Sequence, residues 1–334
     1  MPFGYMGKIL RINLADKDIR VEDIRQDWAE QFIGGPGLAT RYLYDEVPKG
    51  GDPLGPENKL IFMTGPLTGT ASASAGRYSV VAKSPLTGIW GHANSGGSFG
   101  PALKRSGFDG IILEGVASRP LYLTIVDGQA ELHDAGGLWG RTVAETEDMI
   151  QQQTGEKKLT MASIGPGGEN RVRYAAIMNN SHRAAGRCGL GAVMGAKRLK
   201  AIACGGNASV ALAEKDTFNE VARKQYELLD ESMLKVGFET FGTNMVSDMV
   251  NARGGYPTRN WQQGVFDQIE NVNSQALTDK VFVRGVKCFA CPIACGRGSE
   301  IKEGKWAGRK GEGPEYESAV TLGAMCGVSD MNAI

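Results

Sequence analysis

The sequence lacks a net charge, a long basic run and a long apolar run. Among its 334 residues, lysine plus arginine and aspartate plus glutamate both total 37. The closest approach to a basic cluster, Lys197, Arg198 and Lys200, is too short for a nucleic-acid stripe or a membrane-surface patch. No apolar run approaches the roughly 18 residues that a membrane-spanning helix needs. We therefore expect neither nucleic acid nor membrane among the partners.

The start of the chain also lacks targeting signals. Residues 1–10 contain no charged segment followed by a long apolar segment, and no twin-arginine leader is visible. We expect a cytoplasmic protein, in which thiols stay reduced. In that setting clustered cysteines indicate a metal site or catalysis rather than disulfides. The cysteines are Cys188, Cys204, Cys288, Cys291, Cys295 and Cys326.

Common catalytic motifs are missing as well. The chain contains no G-x-S-x-G and no H-E-x-x-H, and no S-x-x-K in a convincing context. No Gly-Lys-Ser/Thr closes a P-loop, and no G-x-G-x-x-G lies between a strand and a helix with an acidic residue about twenty positions on. These absences argue against serine hydrolases, zinc proteases and nucleotide-binding enzymes.

Glycine is present in excess, with 47 residues, or about twice the average share. Such a chain usually needs unusual backbone conformations or close backbone approach. Composition leaves two interpretations open: a turn-dense domain, or a large ligand wrapped by main chain.

The first part of the chain, residues 1–208, is predicted to be a β-rich domain. Apolar or β-branched runs bounded by Gly, Pro or Asp predict strands, at 8–14, 60–63, 78–83, 110–114, 121–126, 159–164, 172–177 and 200–204. Helices are expected at 38–46, 99–106 and 142–153. Because strands and helices do not alternate strictly, we favour an α+β fold over a doubly wound sheet.

Residues 209–334 are predicted to form a second, mainly helical domain. Helical spacing with few β-branched residues appears at 215–235, 240–253, 274–282 and 316–326. The Gly-Gly-Asn-Ala-Ser segment within 205–210 breaks the pattern and is the expected boundary.

The strongest chemical signal is Cys288-Phe-Ala-Cys291-Pro-Ile-Ala-Cys295. Three thiolates at this spacing, folded round a tight turn, suit an iron-sulfur cluster, which needs soft donors and four of them. Zinc is the main competitor, but zinc sites of this kind usually pair two C-x-x-C units. The apolar setting of Cys326 suits a buried core thiol better than a fourth ligand, so we expect that ligand from sequence beyond residue 334.

Three Gly-rich segments carry isolated polar residues, at 74–78, 92–100 and 181–195. Main-chain N–H groups in such loops can point at anionic oxygens, and arginine matches phosphate geometry. A phosphorylated cofactor would suit them, but for each segment taken alone we favour tight turns in a β-rich domain.

A catalytic carboxylate is harder to assign from spacing. Glu315 and Glu317 follow the cysteine motif, but residues two apart do not share a helix face. At most one of them faces a site. The alternative is an acidic helix N-terminus, which the helix dipole favours.

The whole chain resembles the N-terminal half of the aldehyde:ferredoxin oxidoreductase family. The resemblance rests on G-K-I-L-R-I-N-L at 7–14, F-I-G-G-P-G-L at 32–38, T-G-P-L-T-G at 64–69, A-N-S-G-G at 93–97, K-R-S-G-F-D-G at 104–110, I-G-P-G-G-E-N at 164–170, G-R-C-G-L-G-A-V-M-G-A-K-R-L-K-A-I at 186–202, the cysteine run and G-P-E-Y-E at 313–317.

The resemblance implies a first domain of two β-sheets beneath a tungsten or molybdenum bis-pterin, with helical domains above and a [4Fe-4S] cluster beside one pterin. It implies aldehyde oxidation to carboxylic acids with electrons passed to ferredoxin or another iron-sulfur carrier. A homodimer or a separate electron-transfer subunit is consistent with it. Some relatives instead reduce an aromatic thioester at low potential.

The resemblance also implies site residues. The pterin phosphates would be contacted within the Gly-rich loops by Arg77, Asn94, Ser95, Gly96, Arg183, Ala184, Gly186 and Arg187. Asn94 and the Ala184 carbonyl would hold a bridging Mg²⁺. Cys288, Cys291 and Cys295 match three cluster ligands, and Glu315 matches the active-site carboxylate.

Members of that family continue well beyond the equivalent of residue 334. The remaining part would carry further pterin-binding segments, the fourth cluster cysteine and a histidine near the metal, so we expect a fragment, a split subunit or an incomplete product. Two rival functions stay open: an iron-sulfur electron-transfer subunit without catalysis, and a zinc-binding interaction protein.

Overall fold

A computed structural model describes residues 3–155 and 159–334. The chain forms two compact units, the first ending at Glu220 and the second comprising Val221–Ile334. The division falls inside a helix, Lys215–Asp230. Mixed sheets together with helices confirm the α+β fold class.

The described elements are as follows. The strands are β1 (Lys8–Asn13), β2 (Asp18–Asp23), β3 (Leu60–Thr64), β4 (Tyr78–Lys83), β5 (Trp90–Ser95), β6 (Gly110–Glu114), β7 (Leu121–Val126), β8 (Gln129–Asp134), β9 (Thr160–Ser163), β10 (Ile177–Asn179), β11 (Arg183–Ala185), β12 (Leu199–Gly205), β13 (Phe282–Val286), β14 (Gly296–Glu300) and β15 (Lys310–Glu312). The helices are α1 (Gln26–Phe32), α2 (Gly35–Glu46), α3 (Phe99–Arg105), α4 (Val143–Thr154), α5 (Pro166–Glu169), α6 (Leu190–Ala196), α7 (Lys215–Asp230), α8 (Met233–Phe241), α9 (Ser247–Ala252), α10 (Ser274–Lys280) and α11 (Tyr316–Ser318), the last continuing into π and 3₁₀ turns up to Cys326.

The first unit contains two six-stranded sheets. One has the order β2-β1-β6-β3-β4-β5, and the other has the order β11-β10-β9-β12-β7-β8. Each sheet has one parallel pair, β1 with β6 and β12 with β7, while its other pairs are antiparallel. Strand β5 is therefore an edge of one sheet and β11 is an edge of the other.

The inner strands of the two sheets, such as β3, β6 and β12, are buried on both faces, which explains their nearly continuous apolar runs. In β3, Leu60 and Phe62 join the core between the sheets, while Ile61 and Met63 pack beneath α1 and α2. This alternation follows from the two-residue repeat of a strand. Helices α3 and α6 pack in the core between the sheets, and α4 covers the outer face of the second sheet.

The second unit has a core of its own, built around Tyr256, Phe266 and Leu277. Beside its helices it contains a three-stranded sheet of order β13-β14-β15, which the sequence patterns did not predict. Strands β13 and β14 form an antiparallel hairpin. The connection between them carries all three cysteines of the C-x-x-C-x-x-x-C motif.

Several predicted elements need correction. The segment 172–177 is not a strand: Val172 and Ala175 close turns after α5, and only Ile177 enters β10. The helix expected at 215–235 breaks between α7 and α8. The helix expected at 240–253 is interrupted by Gly242, whose φ of 67° ends α8.

No helix within residues 3–155 and 159–334 is long and apolar enough to cross a membrane.

A buried ion pair joins α3 to the loop before β6. The Lys104 ammonium lies 2.5 Å from the Asp109 carboxylate, and both side chains are almost fully buried. Burial lowers the pKa of Lys104, and the charge and hydrogen bond of Asp109 oppose that shift. The same carboxylate accepts from the Gly7 N–H, and the ammonium also donates to the Gly4 carbonyl. The pair therefore fixes the N-terminal segment against the sheet.

We predict that Asp109→Ala lowers the free energy of unfolding by about 3–5 kcal/mol, because it leaves the Lys104 charge buried and unpaired. Adding Lys104→Met should recover part of that loss. Arg119→Ala, at an ion pair that is more than half exposed, should cost less than about 1 kcal/mol. Denaturant unfolding measures all three. An Asp109→Ala loss no larger than the Arg119→Ala loss would show that Asp109 does not compensate a buried charge.

Candidate functional site

The predicted phosphate-binding residues meet where the edges of the two sheets lie side by side. Strand β5 contacts β11. The segment 183–188 runs alongside β5. At one end the Arg183 Cγ packs against Gly97, and at the other the Cys188 sulfur lies 3.6 Å from the His92 carbonyl oxygen. The structure thus brings two of the Gly-rich segments together.

Arg77 and Asn94 are paired at this edge. The Arg77 Nη1 donates to the Asn94 Oδ1 at 2.6 Å, and the Asn94 Nδ2 donates to the Tyr78 carbonyl at 3.1 Å. Both side chains are exposed. The ends of β4 and β5 therefore present an amide and a guanidinium to solvent in a fixed arrangement.

The neighbouring segment adds further exposed groups. Ala184, Gly186 and Arg187 are exposed, and Arg183 is half-buried. A Cβ on Gly186 would meet only the Ala184 Cβ, at 3.8 Å, so the main chain there is open to a ligand. Arginines and accessible main chain on one surface match the chemistry of phosphate groups.

Ser95 and Gly96 differ from this pattern, because both are buried. The Ser95 hydroxyl donates to the Asn179 Oδ1 at 2.6 Å, on the face of β5 opposite to Asn94. The Gly96 carbonyl accepts from the Asn179 Nδ2 at 2.9 Å. The Ser95 side chain therefore belongs to an internal network rather than to the exposed surface.

Asn179, which sequence reasoning missed, is the centre of that network. It is fully buried in β10 and accepts a second hydrogen bond from the Tyr78 hydroxyl at 3.0 Å. Its Nδ2 also donates to the Asn180 Oδ1, which in turn accepts from the Ser98 N–H. One side chain thus connects β4 and β5 of the first sheet with β10 of the second.

Gly97 is required at the turn that this network shapes. Its φ is 84°, and a Cβ there would lie 2.4 Å from the Asn180 Oδ1 and 2.7 Å from the Asn179 Nδ2. Any side chain would displace the two asparagines. Gly97, the second glycine of the A-N-S-G-G segment, therefore allows close packing against Asn179 and Asn180.

One cavity of the first unit lies elsewhere. It measures about 790 Å³ and is lined by Ser98, Lys104, Asp127 and the segment 205–210. None of the predicted phosphate-binding residues lines it. Arg77, Asn94 and Arg187 are exposed, so the candidate phosphate site is open to solvent in this unit.

The three cysteines of the second unit lie in one hairpin loop. Each thiol is half-buried. The Cys291 N–H donates to the Cys288 carbonyl at 3.2 Å, which forms a tight turn. Ala290 and Ala294, the residues that precede Cys291 and Cys295, both have positive φ, at 50° and 51°. These left-handed residues reverse the chain before each of the last two thiols.

Within residues 3–155 and 159–334, no three His, Cys, Asp or Glu side chains are already close enough to hold a metal ion. The donor set nevertheless fits an iron-sulfur cluster, because three thiols share one short loop and none is in a disulfide. Cys326 is exposed rather than buried in the core as predicted, since it ends a short 3₁₀ turn just before Gly327.

Glu315 is half-buried and stands directly before α11. Its Oε2 accepts from the Thr243 hydroxyl at 2.7 Å, and that hydroxyl accepts from the Tyr316 N–H at 2.8 Å. Asn244 donates to the Pro314 carbonyl at 2.8 Å. Thr243 and Asn244, which no sequence motif singled out, hold the segment that carries the carboxylate. Glu317 is exposed.

Asn179→Ala is predicted to destabilise the first unit by about 1–3 kcal/mol, because the Tyr78 and Ser95 hydroxyls lose a buried acceptor. The matched control is Asn58→Ala, a buried asparagine that bonds the Pro53 and Lys83 main chain. Amide hydrogen exchange of residues 96–98 should accelerate in Asn179→Ala and not in Asn58→Ala. If amide exchange of residues 96–98 is unchanged in Asn179→Ala, Asn179 does not shape this loop.

Comparison with known proteins agrees with the resemblance. Residues 9–206 match the family model described as aldehyde ferredoxin oxidoreductase, N-terminal domain, and residues 220–334 match domains 2 and 3 of the same family. The tungsten-containing aldehyde ferredoxin oxidoreductase of Pyrococcus horikoshii is 48% identical over 99% of this chain and 54% of its own length.

Two further relatives act on other substrates. The aliphatic sulfonate oxidoreductase, WOR-like subunit, of Pyrococcus furiosus is 32% identical over 99% of this chain and 55% of its own length. The active site complex BamBC of benzoyl coenzyme A reductase, solved with 1,5-dienoyl-CoA, has a TM-score of 0.83 and 27% identity over 99% of this chain and 52% of that one. This chain therefore spans about half the length of the relatives it matches, and it belongs to the aldehyde ferredoxin oxidoreductase family.

Proposed function

We propose that this chain provides the pterin-phosphate and iron-sulfur residues of an oxidoreductase that converts aldehydes into carboxylic acids and passes the electrons to ferredoxin or another iron-sulfur carrier. The observation that carries the proposal is the meeting of Arg77 and Asn94 with the segment 183–187 at the adjoining sheet edges. Family membership and the cysteine hairpin support it.

The first unit would hold the phosphate ends of a tungsten or molybdenum bis-pterin. Arg77 and Arg183 would donate to phosphate oxygens, joined by Arg187 and by main-chain N–H groups near Gly96 and Gly186. Asn94 and the Ala184 carbonyl would supply oxygen ligands to a bridging Mg²⁺, which prefers such hard donors. Ser95 would act through its main chain, because its hydroxyl is committed to Asn179.

The second unit would hold a [4Fe-4S] cluster through Cys288, Cys291 and Cys295. Iron-sulfur clusters are held by thiolates, and a cubane takes four ligands, so one more donor is needed. Each of the three thiols is half-buried.

Glu315 would hold and move a proton during turnover. When bound, the metal-pterin group supplies the two-electron chemistry, and the cluster supplies single-electron transfer. The protein's share is to bind, orient and move protons. Thr243 donates to the Glu315 Oε2 and so orients the carboxylate that would exchange a proton with substrate or water.

A second candidate is the reduction of an aromatic thioester. It is favoured by the likeness to the benzoyl coenzyme A reductase complex, whose title names a dienoyl-CoA. Identity to the tungsten-containing aldehyde enzymes is higher, at 48% against 27%, and favours aldehyde oxidation. Anaerobic assays with an aldehyde and a viologen acceptor, and with an aromatic thioester and a low-potential donor, separate the two.

Metal analysis of anaerobically purified protein tests the cofactors. We expect tungsten or molybdenum together with about four irons per chain. Iron without either metal would leave an electron-transfer subunit as the better assignment, and zinc without iron would favour a zinc-binding protein.

Cys291→Ala should abolish the visible absorption of the cluster, because one thiolate ligand is lost. Cys326→Ala, which removes an exposed cysteine outside the motif, should retain both iron and colour. Iron content and absorption spectra provide the comparison. A Cys291→Ala protein with the iron content of the unmodified chain would overturn the cluster assignment.

Arg183→Ala should reduce the pterin content several-fold at unchanged fold, because a phosphate-binding guanidinium is removed. Arg119→Ala, at an exposed arginine of the same unit that pairs with Asp134, is the matched control. Pterin released on denaturation is quantified by fluorescence after oxidation. Equal pterin in both variants would show that Arg183 does not bind the phosphates.

A further inference from the structure

The side chain of Arg297 lies beside the cysteine loop although it belongs to no predicted motif. It follows Cys295 by two residues, in β14, and is 1% exposed. A charged group this deeply buried is costly unless all of its donors find acceptors. The acceptors around the Arg297 guanidinium therefore indicate its role.

Each nitrogen of the Arg297 guanidinium donates to a main-chain carbonyl. Nη1 reaches the Thr240 oxygen at 2.9 Å, and Nη2 reaches the oxygens of Glu239 at 2.8 Å and Ala294 at 2.9 Å. Nε reaches the Gly296 oxygen at 3.1 Å. The ring of Phe282 lies 4.7 Å from the guanidinium carbon, at a distance typical of cation–π contact.

Two of these carbonyls belong to the last turn of α8. Carbonyls at a helix C-terminus lack partners within the helix, and the helix dipole favours a cation there. Arg297 thus caps α8 from a strand that lies more than fifty residues later in the chain. Gly242, which ends α8, permits the contact: a Cβ there would lie 3.0 Å from the Cys295 carbonyl oxygen and 3.1 Å from the Arg297 Cδ.

The other two carbonyls, those of Ala294 and Gly296, flank Cys295 on either side. Ala294 has a φ of 51°, which is rarely populated by residues with a side chain and has to be maintained by surrounding contacts. Arg297 supplies such a contact directly. Its guanidinium therefore fixes the main chain before and after Cys295 and ties both points to the end of α8.

We infer that Arg297 is a positioning residue for the iron-sulfur cluster, holding Cys295 in place through the flanking carbonyls and keeping a positive charge beside the cluster. This inference rests on the proposed function. Arginine stays protonated in proteins, so the charge is permanent. A nearby cation stabilises the reduced cluster, which carries one more electron, and so raises its reduction potential.

The test compares Arg297→Met and Arg297→Lys with Arg11→Met in the full chain, purified anaerobically. Arg11 is a buried arginine of the first unit that pairs with Glu22 and Glu46, so its removal controls for general destabilisation. The readouts are iron per chain, the half-time of iron release to a ferrous chelator, and the midpoint potential of the cluster from redox-titrated electron paramagnetic resonance.

Arg297→Met should release iron at least several-fold faster than the unmodified chain, and its remaining cluster should have a lower potential. Arg297→Lys keeps the charge but has one donor nitrogen in place of three. It should therefore release iron faster at nearly unchanged potential. Arg11→Met should alter neither property at temperatures where it is folded.

The outcomes separate this inference from the proposed function. An unmodified chain without iron would overturn the cluster assignment and the inference together. Iron in the unmodified chain, with the same release rate in both Arg297 variants as in Arg11→Met, would overturn the positioning role alone. If Arg297→Met does not fold, the comparison is made with Arg297→Lys: iron release no faster than in Arg11→Met would overturn the positioning role.

Discussion

The candidate phosphate site depends on the hydrogen bonds of Asn179. Two separate sheets supply its residues, and neither edge alone contains both the Arg77–Asn94 pair and the Arg183 segment. Asn179 accepts from Tyr78 and Ser95 of the first sheet and donates to the Gly96 carbonyl. Because these groups are buried, the loss of any one hydrogen bond leaves a polar atom that water cannot reach and that has no partner. The network therefore specifies one relative position of the two edges.

Seven strands of this unit, β1, β3, β4, β6, β7, β9 and β12, were predicted from the sequence, because they are largely buried and stand out as apolar runs. Strands β2, β5, β8, β10 and β11 were missed, and β5 shows one reason. Its exposed face carries Trp90, His92 and Asn94, so its composition is that of a loop. Apolar patterning describes such an exposed sheet edge least. The Gly-rich segment at 92–100 contains Asn94, but only the resemblance to a family assigned this residue a role.

Glycine-rich segments were ambiguous in the sequence because glycine serves two purposes here. Gly186 leaves exposed main chain, as a ligand site requires. Gly195, in the same segment, lies in α6, where a Cβ would stand 1.9 Å from the Gly168 carbonyl oxygen of α5. Within one segment, Gly186 thus exposes the main chain, while Gly195 allows two helices to pack in direct contact. The spacing of the glycines does not distinguish these two roles. Asn179 and Arg297 were missed for another reason: each acts through contacts with residues distant in sequence, so neither lies in a recognisable motif.

The two candidate sites differ in how much the protein arranges before any cofactor binds. Arg77, just before β4, and Asn94, in β5, are already paired, so both side chains are held at the candidate phosphate site before any ligand binds. The cysteines lie in a loop whose thiols have not converged within the described residues, and metal binding would complete that arrangement. Left-handed Ala290 and Ala294 already reverse the chain, held by bonds from Tyr226 and Arg297 to their carbonyls. The protein thus fixes the main chain of the loop. Iron binding would bring the sulfurs together, because thiolate–iron bonds would then be the strongest interactions in the loop.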